Sequence, residues 1–265
     1  MASSFRLQKW YLDAVDHDGQ VFIGYWAILR WGWLNLHYQG YLHQRSGAPT
    51  KHVNRFRRSP APVEVEDRVD WRVPGVDGHW HRRSAPIRRQ LLNNEHGTVD
   101  WHAIMPSASA TIRFQDGHLL NGLGYVEHLD MTIPPWKLPI QRLHWGRAIS
   151  AADAVVWIRW ESHTHPLALV HHLDFCGKAQ TYQQDTQVTK ENVAFPDGYV
   201  RMNEPRSLRT GIISQTVFQQ VGWIKWFFPR SIQQLEETKW LSRSYLESQQ
   251  NTSTGWAIHE IVDWV

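Results

Sequence analysis

The sequence predicts an all-β protein of antiparallel strands, arranged as barrels or sandwiches. Short runs rich in β-branched and aromatic residues recur along the chain, for example VFIGYWAILRW at 21–31 and DAVVWIRWE at 153–161. Turn sequences such as DHDGQ, NEHG and FPDG separate these runs. No period of about 20 to 50 residues repeats, which disfavours a propeller or a solenoid.

The predicted strands can be followed in chain order. After 21–31 they are WLNLHYQGYLH at 33–43, TVDWHAIM at 98–105, GYVEHLDM at 124–131, DAVVWIRWE at 153–161, LALVHHLDF at 167–175, TGIISQTVFQQVGW at 210–223 and GWAIHEIVDW at 255–264. Two stretches leave helix open. SIQQLEETKWLSRSYLES at 231–248 has helical spacing, although KWLSRSYLE also fits a strand, and PPWKLPIQRL at 134–143 could hold a short helical turn.

A proline-rich segment, IPPWKLP at 133–139, divides the chain of 265 residues. Proline donates no ladder hydrogen bond, so this segment is expected to separate two strand-rich regions. Each region is long enough to bury a core of its own. The sequence therefore predicts two barrel-like halves, an N-terminal one over 1–135 and a C-terminal one over 136–265.

Composition limits the compartment and the partners. The N-terminus, MASSFRLQKWYLDAVDHDG, lacks a signal-like apolar core, and no run approaches the roughly 18 apolar residues of a membrane helix. Cys176 is the single cysteine, so no intramolecular disulfide is possible. We expect a cytoplasmic protein without an integral membrane segment.

Charge gives no reason to expect nucleic acid as a partner. The formal net charge is only +3, and the arginine-rich segment at 51–89 is interrupted by acids such as Glu64 and Asp67. A nucleic-acid groove would instead interleave basic residues with exposed aromatic rings. We expect this segment to be a long solvated loop or an edge region.

Strand parity singles out two carboxylates. In GYVEHLDM, alternation places Glu127 with Tyr125 and Leu129, whereas His128 faces the other way. In GWAIHEIVDW it places Glu260 among apolar side chains. A carboxylate on an apolar face either pairs with a cation or has its pKa raised, and a raised pKa suits a general acid. An arginine–glutamate pair inside a barrel remains the alternative for both.

Other motifs carry weaker signals. His163 and His165 could share a strand face and begin a metal site, but no third ligand is evident, so we expect no metal and no other cofactor. GLG at 122–124 lacks the context of a dinucleotide fingerprint and is better explained as a β-turn or bulge. No GxSxG motif supports a hydrolase triad.

An ordered set of motifs resembles the carotenoid hydratase (hydroxyneurosporene synthase) superfamily, whose relatives include lipocalin-like pericyclases. The matching residues are Gly97 to Trp101, Gly122 to His128 (GLGYVEH), Trp145 to Arg147 in LHWGR, and Val155 to Trp160. The family's short Asn-Trp-Gly segment after the histidine is replaced here by LDMTIPPWKLPIQR. The resemblance implies two lipocalin-like β-barrels with a ligand cavity at or between their mouths.

The resemblance also implies chemistry on apolar polyenes or terpenoids, either protonation of an alkene or cyclisation in a shaped pocket. Glu127 and His128 occupy the acidic and histidine positions of the family motif, and Glu260 is the next carboxylate to consider. Sixteen tryptophans suit such a pocket, because aromatic faces tolerate a carbocation. The residues expected to contact a small hydrophobic substrate are Tyr25, Trp31, Tyr125, Trp136, Trp145, Arg147 and Trp157.

Three classes of function follow from these residues. We favour a cofactor-independent biosynthetic enzyme, a hydratase, cyclase or isomerase, acting on an apolar polyene, terpenoid or polyketide-like substrate. A non-catalytic carrier of a hydrophobic ligand would use the same lining. A carbohydrate-active β-protein would need carboxyl groups roughly 5 to 10 Å apart in an open polar cleft. The oligomeric state and the substrate are not encoded in any motif.

Overall fold

The structure is a computed structural model that describes residues 5–174, 179–212, 233–248 and 251–264. These residues form two antiparallel sheets, each curled into a half-barrel, which confirms the predicted all-β class with two lipocalin-like halves. Contacts divide the chain into a first unit, Met1–Leu138, and a second unit, Pro139–Val265. Cys176 and residues 213–223 of one predicted strand lie outside the described residues.

The first unit contains ten strands in one sheet. They are β1 (Phe5–Val15), β2 (Val21–Trp31), β3 (Leu34–Gln44), β4 (Lys51–Arg55), β5 (Val63–Val65), β6 (Arg68–Val73), β7 (Val76–Arg82), β8 (Ile87–Asn94), β9 (Gly97–Phe114) and β10 (Leu119–Met131). Their order is β4-β3-β2-β1-β10-β9-β7-β6-β5, and β8 pairs with β9 outside this path. A 3₁₀ turn, Pro135–Lys137, follows β10 and confirms the short helical turn expected there.

The second unit contains nine strands in the part of the chain that the structure describes. They are β11 (Arg142–Ser150), β12 (Asp153–Glu161), β13 (Leu167–Asp174), β14 (Ala179–Tyr182), β15 (Gln187–Val188), β16 (Asn192–Phe195), β17 (Gly198–Ile212), β18 (Glu236–Ser248) and β19 (Thr252–Asp263). Their order is β14-β13-β12-β11-β19-β18-β17-β16-β15. In both units the first strand pairs with the last, β1 with β10 and β11 with β19.

The sheet of the first unit has two distinct faces, because side chains alternate along each strand. We call the inner face the one that carries the main apolar core, with Leu12, Phe22, Trp71 and Trp80. The outer face carries the alternate residues of the same strands, such as Tyr11. Burying large rings on the inner face removes apolar area from water and so stabilises this unit.

Trp80 ties the inner core to β1. Its indole Nε1 donates a hydrogen bond of 2.7 Å to the carbonyl oxygen of Asp13. Gly124 makes room for this contact, since a Cβ there would lie 2.9 Å from Trp80 Nε1 and 2.3 Å from the Asp13 oxygen. A larger residue at 124 would therefore displace both the indole and the neighbouring strand.

The core of the second unit follows the same principle. Val155, Trp157, Val170, Phe195 and Leu246 are buried together, and Trp157 is the largest ring among them. Gly146 on β11 faces Trp157, and a Cβ there would lie 2.3 Å from the indole ring. Glycine at this position lets the ring lie flat against the neighbouring backbone.

The structure decides between two pairs of alternatives left open by the sequence. Residues 51–89 are an edge region rather than a long loop: β4 and β5 are the two end strands of the sheet, and Val69, Trp71 and Trp80 on the strands between them are buried. Apolar residues alternate with the charged ones there, so the charged side chains mark one face of each strand. The segment 231–248, for which helix and strand were both open, forms strand β18 from Glu236 to Ser248.

The glycine motif at 122–124 lies within β10, where Gly122 and Gly124 pair in regular register with Ala110 and Ala108 of β9. The register shifts after the motif, between Gly124 and Val126 and again between Val126 and Glu127, and the extra residues of this β-bulge lie on β9. The motif is therefore part of a strand beside a bulge, and it is neither a turn nor a nucleotide-binding loop. Among the described residues, no helix has the length and apolar character needed to span a bilayer.

Candidate active site

Glu127 lies immediately after the bulge, on the outer face of the first unit. Glu127 is buried, with only 7% of its surface exposed. Its Oε2 accepts a hydrogen bond of 2.7 Å from Trp101 Nε1 and another of 2.8 Å from the Tyr125 hydroxyl. These two hydrogen bonds hold the carboxyl group in one orientation.

Tyrosine rings surround this carboxylate. Tyr11 on β1 pairs across the sheet with both Glu127 on β10 and Tyr25 on β2. The Tyr11 ring packs edge-on against Tyr25, with centroids 5.5 Å apart, and against Tyr125 at 6.1 Å. Burial, followed by the charge of Glu127, raises the pKa of Tyr125 well above its ordinary value, so its hydroxyl stays protonated and donates.

A second buried carboxylate on this face was missed in the sequence. Asp13 is fully buried and lies opposite Tyr125 in the β1–β10 pairing. Its charge contributes to the raised pKa of Tyr125. The spacing of Tyr11 and Asp13 in WYLDAV, two positions apart, was the available signal, because such residues share a strand face. We refer to Tyr11, Asp13, Tyr25, Trp101, Tyr125 and Glu127 as the acid cluster.

His128 does not join the acid cluster. It lies on the opposite face of β10, where its ring packs 5.2 Å from that of Trp10 and its backbone pairs with His102. Burial lowers the pKa of His128, so at neutral pH it is an uncharged ring against the strand. This placement agrees with strand parity, which put His128 on the face opposite Glu127.

Trp31 and Trp136 form a separate aromatic group in the first unit. Their ring centroids are 4.8 Å apart, and Trp136 also packs edge-on against Phe5 at 5.9 Å. Trp31 lies at the end of β2, six residues along the strand from Tyr25. At about 3.3 Å per residue this places it roughly 20 Å from the tyrosine, so the group is distinct from the acid cluster.

In the second unit, Glu260 belongs to a buried ion-pair network. It pairs with Lys239, which also lies 3.6 Å from Glu237, and Arg209 pairs with Glu237. Burial by itself would raise the pKa of Glu237, but the charges of Arg209 and Lys239 lower that pKa to about 2. Lys239 Nζ also lies 5.4 Å from the centre of the Trp145 ring. Glu260 is therefore in a buried ion pair, as in the alternative considered from the sequence, but its partner is a lysine rather than an arginine.

The remaining predicted residues of the second unit fall on two faces. Arg147 is fully buried and its Nη1 donates a hydrogen bond of 2.7 Å to the carbonyl oxygen of Trp256. Trp145, which lies two positions before Arg147 on β11, pairs with Glu260 across the sheet. Trp157 pairs instead with Gly146 and packs in the core. Trp145 and Trp157 therefore occupy opposite faces of the β11–β12 pair.

The suggested metal pair does not develop into a site. His163 Nε2 lies 2.9 Å from the side-chain amide of Gln141, and His165 Nδ1 lies 2.9 Å from the Thr164 hydroxyl. Both follow β12 rather than sharing a strand. No group of three or more potential ligands gathers anywhere in the described ranges, which omit 175–178 and 213–232.

Comparison with solved structures places this fold among known ones. An AttH-type protein from Nitrosomonas europaea is similar over 98% of this chain and 93% of its own, at a TM-score of 0.64 and 10% identity. CghA matches with a TM-score of 0.57, 9% identity and coverage of 98% and 88%. Kievitone hydratase from Nectria haematococca matches with a TM-score of 0.53, 6% identity and coverage of 97% and 88%.

These likenesses define the class of the protein by its fold: two lipocalin-like half-barrels in one chain. The fold implied by the motif resemblance is thereby confirmed. No family profile matches the sequence, and no curated protein matches it.

Proposed function

We propose that the protein is a cofactor-independent enzyme that transfers a proton at a carbon–carbon double bond of an apolar substrate. Glu127 is the proton carrier in this proposal. Addition of water to the double bond is the favoured reaction, and proton-initiated or pericyclic cyclisation is the alternative. The single observation that carries the proposal is a buried carboxylate held by two donors and surrounded by tyrosine rings.

The chemistry of alkene protonation fits the acid cluster. The reaction needs a proton donor out of contact with bulk water and a surface that tolerates positive charge on carbon. Faces of tyrosine and tryptophan rings carry negative quadrupole charge, which stabilises a nearby cation. Trp101 and Tyr125 each donate a hydrogen bond to Oε2, which orients the carboxyl group of Glu127.

Hydration also needs a group that activates water. Asp13 lies on the same face as Glu127, diagonal to it across the β1–β10 pair, a position in which two residues are roughly 7 to 8 Å apart and their Cβ atoms are somewhat closer. Two carboxylates at such spacing can divide the roles of acid and base. One of the three structures with this fold is named as a hydratase, which favours water addition over cyclisation.

The alternatives are less well supported. Glycosidases place their carboxylates in an open polar cleft, whereas Asp13 is 0% exposed and Glu127 7% exposed, beside aromatic rings. A carrier of a hydrophobic ligand would gain nothing from the two buried carboxylates, because each costs desolvation free energy. A role in the reaction would explain why two buried carboxylates are kept despite this cost.

The test uses Glu127→Gln with a matched control. The substrate panel consists of prenylated phenols, linear polyenes and terpenoid alkenes, incubated in ²H₂¹⁸O and analysed by mass spectrometry for incorporation of deuterium and oxygen-18. We expect conversion of at least one panel member, lowered about 10²-fold or more in Glu127→Gln. Asp130→Asn makes the same acid-to-amide change on the same strand, where Asp130 is paired with Arg6, and should retain activity.

Each outcome bears on the assignment. Deuterium with oxygen-18 in the product supports hydration, deuterium alone supports isomerisation or proton-initiated cyclisation, and conversion with neither label supports a pericyclic reaction. Full conversion by folded Glu127→Gln, judged by circular dichroism, would refute the role of Glu127. Saturable binding of a panel member without any conversion would favour the carrier.

A further inference from the structure

The first unit has a cavity on the inner face, away from the acid cluster. It encloses about 490 Å³ at the end of the half-barrel where the β3–β4, β6–β7 and β9–β10 turns meet. We call this cavity the mouth pocket. Its principal lining residues are Tyr41, His43, Arg45, Lys51, Phe114 and Asp116. This volume lies in the range of pockets that hold small organic ligands.

The floor of the mouth pocket is aromatic. The rings of His43 and Phe114 are stacked with centroids 4.1 Å apart, and Tyr41 stacks on Phe22 beneath at 5.9 Å. Tyr41 and His43 are both less than 9% exposed, so these rings are held in place by the core. Burial, with the charge of Arg45, lowers the pKa of His43 to about 4, and it is an uncharged ring at neutral pH.

The rim of the mouth pocket is cationic. Lys51 pairs with His43 across β3 and β4, so it projects toward the same inner face, and it makes no ion pair with any residue in the described ranges. Arg45 uses Nη2 to contact Asp116 at 2.9 Å, and both partners are exposed, at 47% and 61%. An exposed pair of this kind is weak, and arginine has further donors for a second acceptor.

We propose that the mouth pocket binds a planar aromatic carboxylate, with its ring on Tyr41 and Phe114 and its carboxylate between Lys51 and Arg45. The rim carries two positive charges, from Lys51 and Arg45, and one negative charge, from Asp116. Its net charge is therefore positive, and the floor beneath it is apolar. A planar acid matches both parts, whereas a neutral alkene would leave the rim unused and a simple inorganic anion would leave the floor unused.

This site is separate from the proposed catalytic one. Phe114 belongs to the inner core, whereas Glu127 lies on the outer face of the same sheet. Glu127 is also eight residues along β10 from Leu119, where that strand leaves the pocket end. The inference therefore does not depend on the reaction proposed for Glu127, and it can fail or succeed independently.

Isothermal titration calorimetry on the full chain tests the proposal with three probes: 2-naphthoate, its neutral analogue 2-naphthamide, and inorganic phosphate. We expect saturable binding of naphthoate, at least about 10-fold weaker binding of the amide, and phosphate weaker still. Lys51→Met keeps much of the side-chain length but removes the charge, and should weaken naphthoate binding about 10-fold. Arg113→Met, on the outward side of β9, should leave it unchanged.

Two further variants locate the bound probe. Ala48→Trp fills the pocket while retaining both cations, and should abolish naphthoate binding. Glu127→Gln should bind naphthoate as the parent does, whatever its catalytic activity. The proposal is overturned if naphthoate does not bind, if the amide or phosphate binds equally well, or if folded Lys51→Met and Ala48→Trp leave the affinity unchanged. Loss of binding in Glu127→Gln would also overturn it.

Discussion

Replacement of Gly124 by alanine should destabilise the first unit strongly. The new Cβ would lie 2.3 Å from the carbonyl oxygen of Asp13 and 2.9 Å from Trp80 Nε1. An ordinary carbon–oxygen contact is about 3.3 Å or longer, so β1 and β10 must separate by roughly 1 Å or the strand must twist. The same movement breaks the hydrogen bond from Trp80 to Asp13.

The magnitude follows from these two effects. Overpacking in a well-filled core costs about 1 to 3 kcal/mol. A buried indole N–H and carbonyl left without each other cost about 1 to 3 kcal/mol more. The sum, about 2 to 6 kcal/mol, is a large part of the 5 to 15 kcal/mol by which native proteins are typically stable. For a chain of this size it corresponds to a fall in Tm of about 5 to 20 °C.

Differential scanning calorimetry of Gly124→Ala and Gly117→Ala measures this effect against a control. Gly117 has a φ of +83° and no atom within 4 Å of its hypothetical Cβ, so alanine there costs only the left-handed backbone strain of about 1 to 2 kcal/mol. If the Tm of Gly124→Ala equals that of the parent, or is no lower than that of Gly117→Ala, the close approach of β1, β10 and Trp80 is not rigid.

Three other expectations concern the acid cluster and the second unit. Trp101→Phe keeps an aromatic ring but removes the donor to Glu127, and should lower kcat about 10- to 100-fold in the panel assay, while an unchanged kcat would make this hydrogen bond irrelevant to turnover. His259 is buried and its pKa is lowered to about 3 by burial and then Lys190, so its contribution to stability is complete above pH 6.5 and is lost as pH falls toward 3, by at most about 1.4 kcal/mol per pH unit. Urea unfolding of His259→Gln at pH 7, 5 and 4 should show a shallower pH dependence than the parent, and an identical slope would contradict the argument. Lys239→Met should cost about 3 to 5 kcal/mol because Glu260 loses its cation, and the double variant Lys239→Met/Glu260→Gln should recover part of that loss in the same urea experiment.

Strand parity predicted much of the fold and part of the site. It assigned Tyr125 and Glu127 to one face and His128 to the other, and the structure agrees because the local alternation survives the bulge. It also placed Glu260 on an apolar face but could not name Lys239 as its partner, since cross-strand register depends on how distant segments pair.

Other parts of the site required tertiary information. Asp13 and Glu127 are more than one hundred positions apart in sequence, and only the pairing of β1 with β10 brings them to one face. Trp145 and Trp157 were grouped by composition, yet the hairpin register between β11 and β12 sends them to opposite faces. The mouth pocket likewise depends on turns from three hairpins that meet only in the folded sheet.

The pairing of first strand with last has a kinetic consequence for the first unit. Arg6 on β1 and Asp130 on β10 are 124 positions apart. At roughly 5 to 20 residues per second, a ribosome needs about 6 to 25 s to synthesise that interval. During this time β1 can pair with β2 but exposes its other edge, and open edges recruit strands from other chains. Newly made protein should therefore be most vulnerable to aggregation just before β10 emerges, and chaperone dependence should fall when that strand is supplied early by circular permutation.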